Sequence, residues 1–109
     1  MDYLERMVKW NPKDYLVAGE LGFVLDQLEA RLIREGYQPA LINRNHISRS
    51  YQKTTSLMSF LAITDNFAIK TVASPEGDNH TRLTVKANDK AKSEAERIVG
   101  GEFGVRPEG

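Results

Sequence analysis

The chain contains no cysteine. Disulfides, thiolate nucleophiles and cysteine-ligated zinc or iron–sulfur centres are therefore outside its chemistry. Histidine is nearly missing as well. His46 and His80 are the only two, 34 positions apart, and neither has a second histidine at ligand spacing, so no metal is expected. No charge sign is in excess: 15 basic and 15 acidic residues balance to a formal net charge of zero. A dedicated nucleic-acid binder carries a basic surplus, because counterion release drives its affinity. No apolar run is long enough to span a bilayer; "FLAI" at 60–63 is typical of the longest. Asp2, Glu5 and Arg6 interrupt the stretch where a signal peptide needs an apolar core. The reading is a cytoplasmic protein with no membrane partner. Phosphate loops, dinucleotide fingerprints and nucleophile elbows are missing too, so neither an enzyme nor a bound cofactor is expected.

What is present is the composition of an ordinary folded domain. With 109 residues, 40% of them hydrophobic, the chain can fill one modest core. Tyr3, Leu4, Met7 and Val8 have helical spacing. Asn11, Pro12 and Asp14 look like the cap, first position and first turn of a helix starting at Pro12. Gly19 and Gly22 then each cost roughly 1 kcal/mol in a helix interior, so "GELG" reads as a helix-breaking turn. From 20 to 35 the stripe Leu21, Val24, Leu25, Leu28 and Leu32 predicts an amphipathic helix ending at Gly36. Pro39 argues against a central strand nearby, and "ALIN" at 40–43 is read as the start of an edge strand running toward Ile47.

"SLMSFLAIT" and "FAIKTVA" read as a hairpin. A three-residue loop Thr64-Asp65-Asn66, with Asn66 left-handed, would set Ile63 against Phe67, Leu61 against Ile69 and Leu57 against Ala73. Met58, Phe60 and Val72 would then share the opposite face. "TRLTVKA" alternates as a half-exposed strand with Leu83, Val85 and Ala87 inward. Asn88 or Asp89 caps a last helix with Ala91, Ala95, Ile98 and Val99 as its apolar stripe, ending at Gly100-Gly101. Residues 101–109 follow a single domain, 1–100, as a C-terminal tail, ordered only if Phe103 and Val105 find a groove or a partner. The fold class is α+β: a three- to four-stranded antiparallel meander, with helices before and after it in sequence, packed mainly on one face.

The stretch "NRNHISRSYQKTTS" at 43–56 stands out. No acid occurs between Gly36 and Thr64, where Arg44, Arg49 and Lys53 are the cations. The middle of the chain thus carries +3, against −2 for residues 1–35 (seven acids, five bases) and −1 for 65–109 (eight acids, seven bases). Asp26 and Glu29 share a helix face and read as a solvated surface beside Arg31 and Arg34. The expected function is a non-catalytic binding or adaptor module acting by protein–protein contact as a homodimer. Its contact residues would be Met58, Phe60 and Val72, with Phe103 as an anchor. One alternative is a nucleic-acid-associated accessory protein using Arg44, Arg49, Tyr51 and Lys53. A second is a small carrier of apolar ligands, in which the sheet curls round a helix.

Overall fold

A computed structural model describes residues 9–41, 44–54 and 66–108. The apolar spacing at Tyr3 to Val8 and the proposed strand at 57–63 lie outside the described residues. Among the described residues five strands and two helices follow in the order β1 (Asn11–Ala18), α1 (Leu21–Arg34), β2 (Gln38–Pro39), β3 (Ser48–Thr54), β4 (Asn66–Pro75), β5 (His80–Ala87) and α2 (Lys92–Phe103). The strands form one antiparallel sheet in the order β1-β5-β4-β3-β2. The fold is α+β, with one more strand than expected. The meander covers only β2 to β5, because β1 joins at the far edge beside β5 and places α1 between two strands.

The segment starting at Asn11 is thus a strand and not a helix. Its capping chemistry is local and is overridden by pairing with β5 along eight positions, from Asn11↔Ala87 to Ala18↔His80. Tyr15 and Val17 turn into the core by strand alternation. The Asn11 side chain donates to the Ala87 carbonyl at 3.0 Å instead of capping a helix. Gly19, at φ +126°, ends the strand; its N–H donates to the Asn79 carbonyl at 2.6 Å.

Helix α1 follows the predicted stripe, with Val24, Leu25, Leu28 and Leu32 buried. It closes at Gly36, φ +98°. The N–H of Gly36 reaches the Ile33 carbonyl and that of Tyr37 reaches Leu32, the paired C-terminal bonds of a Schellman motif. Helix α2 buries Ala95, Ile98 and Val99 as expected. It does not stop at Gly100-Gly101 but runs to Phe103, and Gly104 at φ +67° ends it. Asn88 accepts the Ala91 N–H on its side-chain oxygen at 3.0 Å, securing the entry.

The expected hairpin register is overturned. Asn66 is the first residue of β4 and pairs with Thr54. Ile69 sits opposite Tyr51 on one side and Ala87 on the other. Both edges of β4 are therefore claimed, by β3 and β5. Ala40 and Leu41 are not in a strand; β3 begins only at Ser48.

The core lies between the helices and one face of the sheet. The buried residues of α1 and α2 meet Tyr15, Val17, Tyr51, Ile69, Ala73, Leu83, Val85 and Ala87. Phe103 and Val105 pack against this cluster, so the C-terminal segment does find a groove. The opposite sheet face carries Asp14 and Leu16 of β1, Arg82, Thr84 and Lys86 of β5, Lys70, Val72 and Ser74 of β4, and Ser48 and Ser50 of β3. Neither helix packs on that face.

Candidate functional site

The acid-free stretch and the acid-bearing face of α1 meet. Asp26 and Glu29, one helical turn apart, project from α1 over the end of the sheet that holds β3. Arg44 lies just before β3 and grips Glu29 with both prongs, Nη1 to Oε1 at 2.6 Å and Nη2 to Oε2 at 2.9 Å. Tyr51 projects from β3 into the core, 1% exposed, and donates its hydroxyl to the same Oε1 at 2.9 Å. Arg49, two positions earlier on the same strand face, pairs through Nη2 with Asp26 Oδ1 at 2.9 Å. Its Nη1 is 3.7 Å from Glu29 Oε1, close enough for Coulomb attraction but too far for a hydrogen bond. The Arg49 Nε and Nη1 atoms are buried without a hydrogen-bond partner among the described residues.

The charges shape one another. The two-pronged Arg44 bond holds the Glu29 carboxyl below the usual carboxylate range against the opposing effect of burial, with Tyr51 and Arg49 adding to it. Burial, and then the adjacent Glu29, push the Tyr51 hydroxyl above the usual tyrosine range. Arg44 is pushed up by the same partner.

Lys53 leaves β3 at the other end of the stretch. Its ammonium group pairs with Glu94 of α2 and stands 4.7 Å from the Tyr37 ring centre and 4.8 Å from that of Phe67. Charge pairing and two aromatic faces hold it between the helices and the sheet. Arg31 and Arg34 pair elsewhere, with Glu35 and Glu102 respectively, each at 3.3 Å.

Arg44, Arg49 and Tyr51 are therefore brought together, and Lys53 is held separately. Glu29 organises the group, although its sequence context marks it only as part of a solvated helix face. The available signal is the charge segregation: an acid-free middle segment has its counter-charges on the preceding helix. His46 and His80 are both exposed, and His80 Nδ1 lies 3.2 Å from the Asp78 carbonyl oxygen. Of the residues read as protein contacts, Val72 stands on the open sheet face between Ser48 and Thr84. Phe103 packs against the core of its own chain. Met58 and Phe60 lie outside the described residues.

Gly36, Gln38, Gln52, Lys53 and Thr54 line a polar recess of about 180 Å³ beside β2 and β3. Among the described residues no three His, Asp or Glu side chains gather as a metal site, and no helix is long and apolar enough to cross a membrane. Compared with protein-family models, curated proteins and solved structures, the chain matches none.

Proposed function

We propose that the protein is a small non-catalytic binding module that works by protein–protein contact, with a second copy of itself as the first partner. The observation that carries this reading is the one-sided sheet. Among the described residues both helices pack on one face, and the other presents Val72 and Leu16, each 37% exposed, among serine, threonine and lysine. Isolated apolar side chains in a polar, strand-built surface match the mixed composition of non-obligate protein interfaces. Met58 and Phe60 belong to the proposed contact on sequence grounds alone.

Sedimentation across a range of protein concentrations tests the proposal. A dimer that Val72→Glu converts to monomer, with an unchanged circular dichroism spectrum, supports it. Wild-type protein that stays monomeric at every concentration removes the second copy as partner. A dimer indifferent to Val72→Glu moves the contact off this face.

The other two readings find less support. A phosphate approaching Arg44, Arg49 or Lys53 must displace a carboxylate already paired with that cation. The space between helices and sheet is filled by core side chains, and the polar recess is poorly suited to an apolar ligand.

A further inference from the structure

The C-terminal segment crosses the edge of the sheet as a strap. Gly104, with a left-handed backbone, turns the chain out of α2, and its N–H donates to the Gly100 carbonyl at 2.8 Å. The Val105 carbonyl oxygen then passes 3.3 Å from where a Cβ on Gly100 would stand, a crossing that a side chain at position 100 would crowd. Val105 packs against the core. Three residues later the Glu108 N–H donates to the Asp14 carbonyl at 2.6 Å, as an antiparallel bridge to β1. The Glu108 carboxylate receives Arg82 Nη1, also at 2.6 Å. Backbone, apolar side chain and acid each meet a separate feature of the body.

In an antiparallel strand the N–H and C=O of one residue point the same way, and neighbouring residues alternate. The Asp14 carbonyl faces away from β5, so the N–H and C=O of Leu16 face away as well. Pro12 shares that direction at the other end, where a missing N–H does no harm. Among the described residues the strap bridges this edge at Asp14 alone. Leu16 and Ala18 continue the row.

We infer that the outward edge of β1 is a strand-docking site. It takes an extended segment of a partner protein, antiparallel to β1, with an apolar side chain and, three residues later, an acidic one. The site is closed in cis by the chain's own residues 104–108, which display the recognised pattern. Main-chain pairing with Asp14 and Leu16 supplies the attachment, and the Arg82 guanidinium selects the acid. The site borders the open sheet face, sharing the Leu16 and Arg82 side chains with it, but its attachment is the main-chain edge of β1, so it stands whether or not that face binds a second copy. A strap held in the same molecule competes at an effective concentration on the order of millimolar. It therefore excludes weak strands and yields to partners that bring further contacts.

The test uses the full-length chain and a synthetic peptide with the sequence of residues 104–109. Glu108→Lys opens the strap, and Glu108→Ala serves as a second opening variant should the first disturb the fold. Amide shifts of Asp14, Leu16 and Arg82 are followed by NMR as peptide is added. In the opened variants these shifts should move saturably, and less at equal peptide in the wild type. A peptide with lysine in place of its glutamate should bind at least about tenfold more weakly, since a charge-assisted hydrogen bond is lost. No movement at β1 in a folded, opened variant would overturn the inference. So would equal binding of the two peptides.

Discussion

Glu29 shows how one carboxylate can decide the role of a whole basic stretch. It accepts both prongs of Arg44 and the Tyr51 hydroxyl, with Arg49 nearby. Replacing it by glutamine keeps the size but removes the charge, leaving the Arg44 guanidinium without its counter-ion. Glu29→Gln should therefore cost about 1–3 kcal/mol at neutral pH, the usual range for a lost charged hydrogen bond. The sign of the pH dependence follows from the lowered carboxyl pKa. The folded protein holds this proton less tightly than the unfolded chain. The stabilisation is complete above the ordinary carboxylate value of about 4.3 and is lost as pH falls through the lower folded value. Urea unfolding of wild type and Glu29→Gln should thus show a gap at neutral pH that narrows in acid. Glu35, also held low by Arg97 and Arg31, is present in both proteins and cancels in the difference. A gap independent of pH would mean that the charge of Glu29 contributes nothing to stability.

The elements differ in how far the sequence revealed them. Helix α1 was legible because its apolar stripe and its terminating glycine agree. Strand β5 was legible because Leu83, Val85 and Ala87 alternate with polar residues, and the stripe of α2 because Ala95, Ile98 and Val99 recur at helical spacing. Strand β1 was not. Asn11, Pro12 and Asp14 have good cap chemistry, and only the distant β5 makes Tyr15 and Val17 a strand face. The β4 register failed for a related reason: the residues Thr64, Asp65 and Asn66 describe a turn but not which strand β4 pairs with. The candidate site was half legible. Its cations and their segregation could be counted, whereas their convergence on α1 is a tertiary fact. Gly36 tests the legible part. A side chain there must adopt φ near +98° and would stand 3.2 Å from the Lys53 Cδ atom. Gly36→Ala should lower stability by about 1–2 kcal/mol, the penalty for an L residue in left-handed backbone. An unchanged midpoint in thermal unfolding would count against this account of the α1 terminus.

For the molecule as a whole, zero net charge and internal pairing of Arg44, Arg49 and Lys53 predict weak interaction with polyanions. Even if all three cations were released to a duplex, the salt slope would reach only about −2.7. Raising salt from ~50 to ~200 mM would then cost on the order of 40-fold in affinity. No binding of a generic duplex or single strand is therefore expected at about 150 mM salt. Fluorescence anisotropy across a salt series, with Arg44→Glu and Arg49→Glu alongside, checks this. Submicromolar binding abolished by those substitutions would make nucleic acid the leading partner. The strand order has a consequence of another kind, in time. Strand β1 is synthesised early, but its partner positions lie 62 residues away at the near end (18 to 80) and 76 at the far end (11 to 87). During translation β1 waits until β5 has left the ribosome. Until then Tyr15, Leu16 and Val17 form an unpaired, strand-forming run. Loop closure this long is slow relative to local helix formation, so α1 is positioned to form first and wait for the strand that precedes it.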